Sequence, residues 1–193
     1  MFFKMAAAEK ADILLVVTPP FLVKMPHIGV GYLSSFLKNK GYSVSVADLS
    51  MQLYKVATCE QRFYWQVDCV NSFFHTQISD SILDFFKKEI GDFVNSVISS
   101  KIRVIGFSVN IISIDLANKI AQMIKEKAPD CLIVFGGPGV YFDYPRSRLQ
   151  PIFCDVCVIG EGELALLKIM DEYYGKGTVF GRTCLHPGEG AQE

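Results

Sequence analysis

Apolar residues along the chain alternate between two rhythms. Short runs rich in Ile and Val occupy residues 12–17, 43–48, 102–108, 131–135 and 155–159. Runs so short and so continuous suit strands buried on both faces of a parallel sheet. Between them, apolar residues recur at helical spacing. Residues 27–40 align Val30, Leu33, Phe36 and Leu37, then close on Lys38, Asn39, Lys40 and Gly41, a cationic last turn with a glycine stop. Residues 113–127 start on Ser113 as a candidate N-cap, line up Leu116, Ile120, Met123 and Ile124, and stop before Pro129. Residues 163–174 place Leu164, Leu167 and Met170 on one side. Residues 80–99 read as one helix through Ile82, Phe85, Phe86, Ile90, Phe93, Val94 and Val97.

Strand–helix alternation implies right-handed crossovers and an α/β fold. The prediction is a doubly wound five-stranded parallel sheet, flavodoxin-like or Rossmann-like, in the order 2-1-3-4-5. In that order ligands sit where the winding reverses, at the carboxyl ends of the first and third strands. Residues 49–100 form a helical insertion after the second strand, rich in aromatic residues. It reads as a crossover helix with its packing, or as a cap facing a substrate or partner. Residues 175–193 carry a short β-like piece at 178–180 and read as an arm or linker.

Composition narrows the class. Hydrophobic residues make up 50% and charged residues 20% of the 193, which excludes a disordered chain and supports one domain over residues 1–174. A formal net charge of -1 with no basic run argues against binding nucleic-acid backbones or anionic membranes. No apolar stretch reaches the ~18 residues of a membrane span, and Lys4 interrupts the start where a signal peptide needs an unbroken apolar region. The six cysteines are thus expected to be reduced thiols of a cytoplasmic protein.

Candidate chemistry lies in the loops after the strands. The first strand exits through Thr18-Pro19-Pro20 into a long loop ending at His27. The series Gly29-Val30-Gly31-Tyr32-Leu33-Ser34 comes twelve residues after Val17, too late for a dinucleotide fingerprint. Gly29 and Gly31 are instead expected to let the helix approach the sheet or a bulky ligand. After the third strand, Gly106-Phe107-Ser108-Val109-Asn110 offers small and polar groups for a ligand lip or for a helix cap. Phe135-Gly136-Gly137-Pro138-Gly139 follows the fourth strand, either as a tight turn or as a stretch stripped of side chains against which a bulky ligand lies.

Gly160-Glu161-Gly162-Glu163-Leu164-Ala165 literally fits G-x-G-x-x-A between a strand and a helix. Two carboxylates inside it repel a pyrophosphate by about 4 kcal/mol each at 4 Å and an effective dielectric near 20. They suit a helix N-terminus and can accept hydrogen bonds from amide or hydroxyl ligands. Cys154-x-x-Cys157 lies at a strand without a second pair, so it reads as structural. The scattered His27, His75 and His186 form no metal pattern.

Together these segments resemble the N-terminal cobalamin-binding domain of cobalamin-dependent radical S-adenosylmethionine (SAM) enzymes, over about residues 12–185. One half of the likeness is Thr18-Pro19-Pro20, Pro26-His27-Ile28-Gly29-x-x-Tyr32-Leu33-x-x-x-Leu37 and Gly41-Tyr42-x-Val44-x-Val46-x-Asp48. The other is Ile105-Gly106-Phe107-Ser108, Gly136-Gly137-Pro138 and Val158-Ile159-Gly160-Glu161-Gly162-Glu163. The resemblance implies a Rossmann-like module holding cobalamin with its lower base detached. It assigns Thr18, Pro19 and Gly29 to the lower face of the corrin, and Ser108 and Val109 to the small-polar position after the third strand. Gly136, Gly137 and Pro138 then flank the nucleotide tail, and Gly160, Glu161, Gly162 and Glu163 close its pocket. Such a ligand, large and flat with amides and a long tail, matches the broad lips and bare backbone of these loops.

Two departures shape the expectation. Methionine-synthase-like cobalamin domains use Asp-x-His-x-x-Gly, whose His binds cobalt. Here Met25 stands where Asp would orient the ring and the spacing is His27-x-Gly29, so no side chain of this chain is expected to ligate the metal. The family's catalytic half needs Cys-x-x-x-Cys-x-x-Cys for a [4Fe–4S] cluster, and Gln150 stands four residues before Cys154. The expectation is therefore a cobalamin-binding module of a radical SAM enzyme, a methyltransferase, with cluster and SAM in a catalytic domain absent from this chain and reached through the 175–193 arm. The alternatives are a flavodoxin-like nucleotide- or flavin-binding domain and a non-catalytic scaffold using the insertion.

Overall fold

The computed structural model describes residues 11–66, 75–140, 152–175 and 183–185. The branched aliphatic runs become β1 (Ile13–Val17), β2 (Val44–Asp48), β3 (Val104–Ser108), β4 (Leu132–Gly136) and β5 (Val156–Val158). All pair in parallel, in the order β2-β1-β3-β4-β5. The predicted order is present, and a further strand, β6 (Thr183–Leu185), extends it beside β5. The sequence did not place a strand there; its β-like piece at 178–180 lies outside the described residues.

Register aligns the strand ends. Val17 lies level with Ser108, Ser108 with Gly136, and Gly136 with Val158. The carboxyl ends of β1, β3, β4 and β5 therefore form one flush edge, from which the loops singled out in the sequence spring.

The helices are α1 (Ile28–Asn39), α2 (Leu49–Val56), α3 (His75–Phe85), α4 (Lys87–Ser100), α5 (Ile114–Lys127) and α6 (Gly162–Gly175), with 3-10 turns at Gln61–Trp65 and Pro138–Val140. Period-two alternation along the strands builds two cores. Ile13, Leu15, Val104 and Val134 face α1 and α6, where Val30, Leu37, Leu166 and Ile169 cover them. Leu14, Val16, Phe107 and Phe135 face the opposite side, filled by α2 through α5.

The described part of the 49–100 insertion belongs to that second core through Leu53, Trp65, Ile82, Phe86 and Phe93. It packs as a crossover; Cys69, Phe73 and Phe74 lie outside the described residues. The single helix predicted over 80–99 is two helices, α3 and α4. They break at Phe86, whose buried ring meets Trp65 edge-on with centroids 5.9 Å apart.

Two local details also differ from expectation. Ser113 holds the N-cap position of α5, but its side chain makes no capping bond: its hydroxyl accepts the Asn110 N–H, and Asn110 Oδ1 accepts the N–H groups of Ile112 and Ser113 in the turn before the helix. Gly29 and Gly31 permit no close helix–sheet approach, since the nearest atom to a Cβ on Gly29 is in the His27 side chain at 3.5 Å and Gly31 faces open space. Cys154 and Cys157 bring their sulfurs within 3.6 Å at the entry to β5. Burial pushes the Cys154 thiol well up, which keeps it protonated and poorly nucleophilic.

Candidate functional site

A cavity of about 300 Å³ opens between the flush strand edge and the helices α1 and α6. Its walls are apolar: Leu15, Val134 and Val158 from the sheet, Val30 and Leu33 from α1, and Leu166 from α6. Alternation puts Gly106 and Gly136 on this same face, so the floor lacks a side chain at one position of each of the neighbouring strands β3 and β4. A Cβ built on Gly136 meets nothing nearer than the Val158 Cβ at 4.0 Å, and would project into open volume. A Cβ on Gly106 would lie 3.0 Å from Leu15 Cδ2, the movable end of a side chain.

Gly137 is a glycine for a different reason. Its φ is +102°, and a Cβ there would lie 2.7 Å from the Val109 carbonyl oxygen. The bare backbone at 137 lets the β4 loop close onto the β3 loop, where Val109 N–H donates to Gly136 C=O at 2.8 Å and Gly139 N–H to Val109 C=O at 2.9 Å. Gly160 likewise adopts a left-handed φ of +87° in the turn into α6.

The mouth is set by the long loop between β1 and α1, which ends on His27. His27 is the N-cap of α1: Nδ1 accepts the Val30 N–H at 3.2 Å. That bond leaves the proton of the neutral ring on Nε2, which donates to Ser108 Oγ at 3.0 Å. The Phe21 ring lies against the imidazole with centroids 4.4 Å apart. Burial lowers the pKa of His27 despite the opposing pull of Asp48. The ring is thus a neutral brace with both nitrogens engaged. Further bonds hold the loop, with Thr18 N–H reaching Ser108 C=O at 3.4 Å and Asn110 Nδ2–H reaching Pro20 C=O at 3.2 Å.

The structure gathers most of the predicted site residues. Gly29, Ser108, Gly136, Gly137, Pro138, Gly160, Glu161, Gly162 and Glu163 all line the cavity. Thr18, Pro19 and Val109 do not. Thr18 and Val109 are fully buried, Val109 within the α2–α5 core, and Pro19 is buried in the loop's exit. Their backbones shape the rim, and their side chains do not reach the cavity. Sequence reading missed the walls and the part played by His27. The strand alternation carried the signal for Leu15, Val134 and Val158.

Residues flanking the mouth are apolar and open to solvent: Ile28 is 82% exposed and Leu164 72%. Glu161 is exposed and Glu163 half-buried, and both sit at the start of α6, where a helix N-terminus favours negative charge. Among the described residues no group of three or more His, Cys, Asp or Glu side chains is placed to hold a metal ion. Among them, too, no helix is long and apolar enough to cross a membrane.

Comparison with known proteins agrees with this geometry. The model of the B12 binding domain family matches residues 67–169. No curated protein matches the chain. Among solved structures, the fold is similar to that of the radical S-adenosylmethionine methyltransferase TsrM from Kitasatospora setae, solved with its tryptophan substrate and the SAM analogue aza-SAM bound. The TM-score is 0.50 at 15% identity, over 84% of this chain and 26% of that enzyme. The chain thus spans about a quarter of the length of that relative.

Proposed function

The chain belongs to the B12-binding domain family, and from that membership we propose that the cavity over Gly136 is where it holds cobalamin. The observation that supports this reading is the bare floor. A side chain at Gly106 or Gly136 would occupy the space between the sheet and the two helices, and neither residue has one. A cleft of about 300 Å³, open at one end, suits the nucleotide tail of the cofactor with its lower base detached. The corrin ring would then lie over the apolar mouth. Gly29, Ser108, Gly136, Gly137, Pro138, Gly160 and Gly162 offer backbone or small groups to the ligand, and Glu161 and Glu163 accept hydrogen bonds from its amides. Thr18, Pro19 and Val109 serve by fixing the loops.

Bound cobalamin supplies a cobalt centre able to carry a methyl group. The chain's own contribution is to bind, orient and shield. His27 has no free lone pair while it accepts from Val30 and donates to Ser108, so it braces the rim and would not serve as a cobalt ligand.

The module, residues 1–174, serves a cytoplasmic radical SAM methyltransferase. The [4Fe–4S] cluster and SAM of that enzyme belong to a separate catalytic domain, to which residues 175–193 connect after adding β6 to the module's sheet. The likeness to TsrM, confined to 26% of that enzyme, supports this reading.

Two experiments test the proposal. The purified chain is mixed with hydroxocobalamin, desalted, and its visible spectrum recorded; retained base-off absorbance is expected, and a colourless protein overturns the reading. For the parent enzyme, the coding sequence beyond Glu193 is expected to encode Cys-x-x-x-Cys-x-x-Cys, and a gene lacking it removes the radical SAM assignment.

A further inference from the structure

One hydroxyl joins the insertion to the mouth of the cavity. Ser50, in α2, is buried. Its Oγ accepts the indole N–H of Trp65 at 2.8 Å and the backbone N–H of Phe21 at 2.9 Å, and donates its own proton to Phe21 C=O at 3.1 Å. A serine hydroxyl has one proton and two lone pairs, so its capacity is filled. Each partner is itself fixed. Trp65 is held edge-on between Tyr54 and Phe86, at 5.8 and 5.9 Å. Phe21 carries the ring that lies on His27, and His27 donates to Ser108 at the cavity mouth.

We propose that Ser50 is the positioning residue of the rim: through its hydroxyl, Trp65 of the insertion fixes the loop after β1 and so holds His27 and Ser108 in the arrangement that receives cobalamin. The ligand rests on the function proposed above; the placement of the loop does not. Ser50→Ala leaves the Phe21 N–H and the Trp65 indole N–H without this acceptor, and the loop loses its tie to the core. Burial, which lowers the pKa of His27, is then relieved.

The test uses the full chain with hydroxocobalamin as probe. Ser50→Ala is expected to weaken corrinoid binding about tenfold, because the rim loop loses the three hydrogen bonds of this hydroxyl. It is also expected to shift the emission of Trp65, the only tryptophan, and to move the NMR titration of His27 up toward 6.5. Ser50→Thr, which keeps the hydroxyl, is expected to restore all three. Unchanged affinity and His27 titration in Ser50→Ala overturn the proposal, as does a Ser50→Thr variant no better than Ser50→Ala.

Should Ser50→Ala fail to fold, amide hydrogen exchange of the unaltered chain decides. A protected Phe21 amide supports the tie and an unprotected one overturns it. A chain that takes up no corrinoid but whose His27 titration moves in Ser50→Ala sinks the cobalamin reading and keeps the tie. A chain that binds corrinoid equally well with and without the hydroxyl, its His27 titration unmoved, does the reverse.

Discussion

On the α2–α5 face of the sheet, Phe107 and Phe135 meet edge-on 5.6 Å apart, and with Phe93 and Ile105 they fill the layer between strands and helices. On the α1–α6 face of the same two strands, the adjoining residues Gly106 and Gly136 carry no side chain, and a cavity of about 300 Å³ opens over them. Adjacent residues thus do opposite work because successive strand positions point to opposite faces. One face is packed for stability and carries the insertion. The other is left open over its glycines, and its loops are tied down from the packed side.

The sharpest way to break that contrast is on the packed face. Phe107→Ala is expected to cost about 3–5 kcal/mol in chemical denaturation, because it removes a large buried ring and leaves a hole among rigid neighbours. A loss below about 1 kcal/mol would mean that this core is looser than described.

Next comes the pair of neighbouring glycines, which separates strain from space. Gly137→Ala is expected to cost about 1–3 kcal/mol, since φ is +102° and the new Cβ would press on the Val109 carbonyl. Gly136→Val is expected to change stability by less than about 1 kcal/mol yet to lower hydroxocobalamin affinity at least about tenfold by filling the floor. If Gly136→Val binds as well as the unaltered chain, the floor is not where the ligand lies.

The smallest effect is a pH dependence at the rim. Burial holds the folded-state pKa of His27 below its ordinary 6.5, so between the two values the unfolded chain binds more protons. This contribution to stability is fully present above pH 6.5 and is lost as pH falls through the folded value. The slope is at most about 1.4 kcal/mol per pH unit. His27→Asn, which can still cap α1 but cannot titrate, is expected to flatten that part of the curve measured by denaturation. An unchanged slope would assign it to other groups.

Much of this arrangement was legible in the residues. The branched aliphatic runs are short and separated by helical spacing, so their parallel order and the loops at their carboxyl ends follow from general rules; burial on both faces holds for the central β1, β3 and β4 and not for β2, an edge strand whose Val46 is exposed. Directions were less legible than positions. Motif matching brought Thr18, Pro19 and Val109 to the rim but could not say that their side chains turn away from the cavity. The break at Phe86 was hidden because helical periodicity runs through it with no glycine or proline to mark it. The three residues of β6 are too few to carry a pattern. His27 stood out for its unusual spacing, whereas its capping bond to Val30 and its bond to Ser108 emerge only once the loop is folded.

The most direct measurement follows the backbone amide signals of the 15N-labelled chain as hydroxocobalamin is added. The account predicts that the largest shifts fall on Gly29, Ser108, Gly136 and Gly162, with α3, α4 and α5 nearly silent. Shifts centred on α3–α5, or none at a saturating corrinoid concentration, would contradict it.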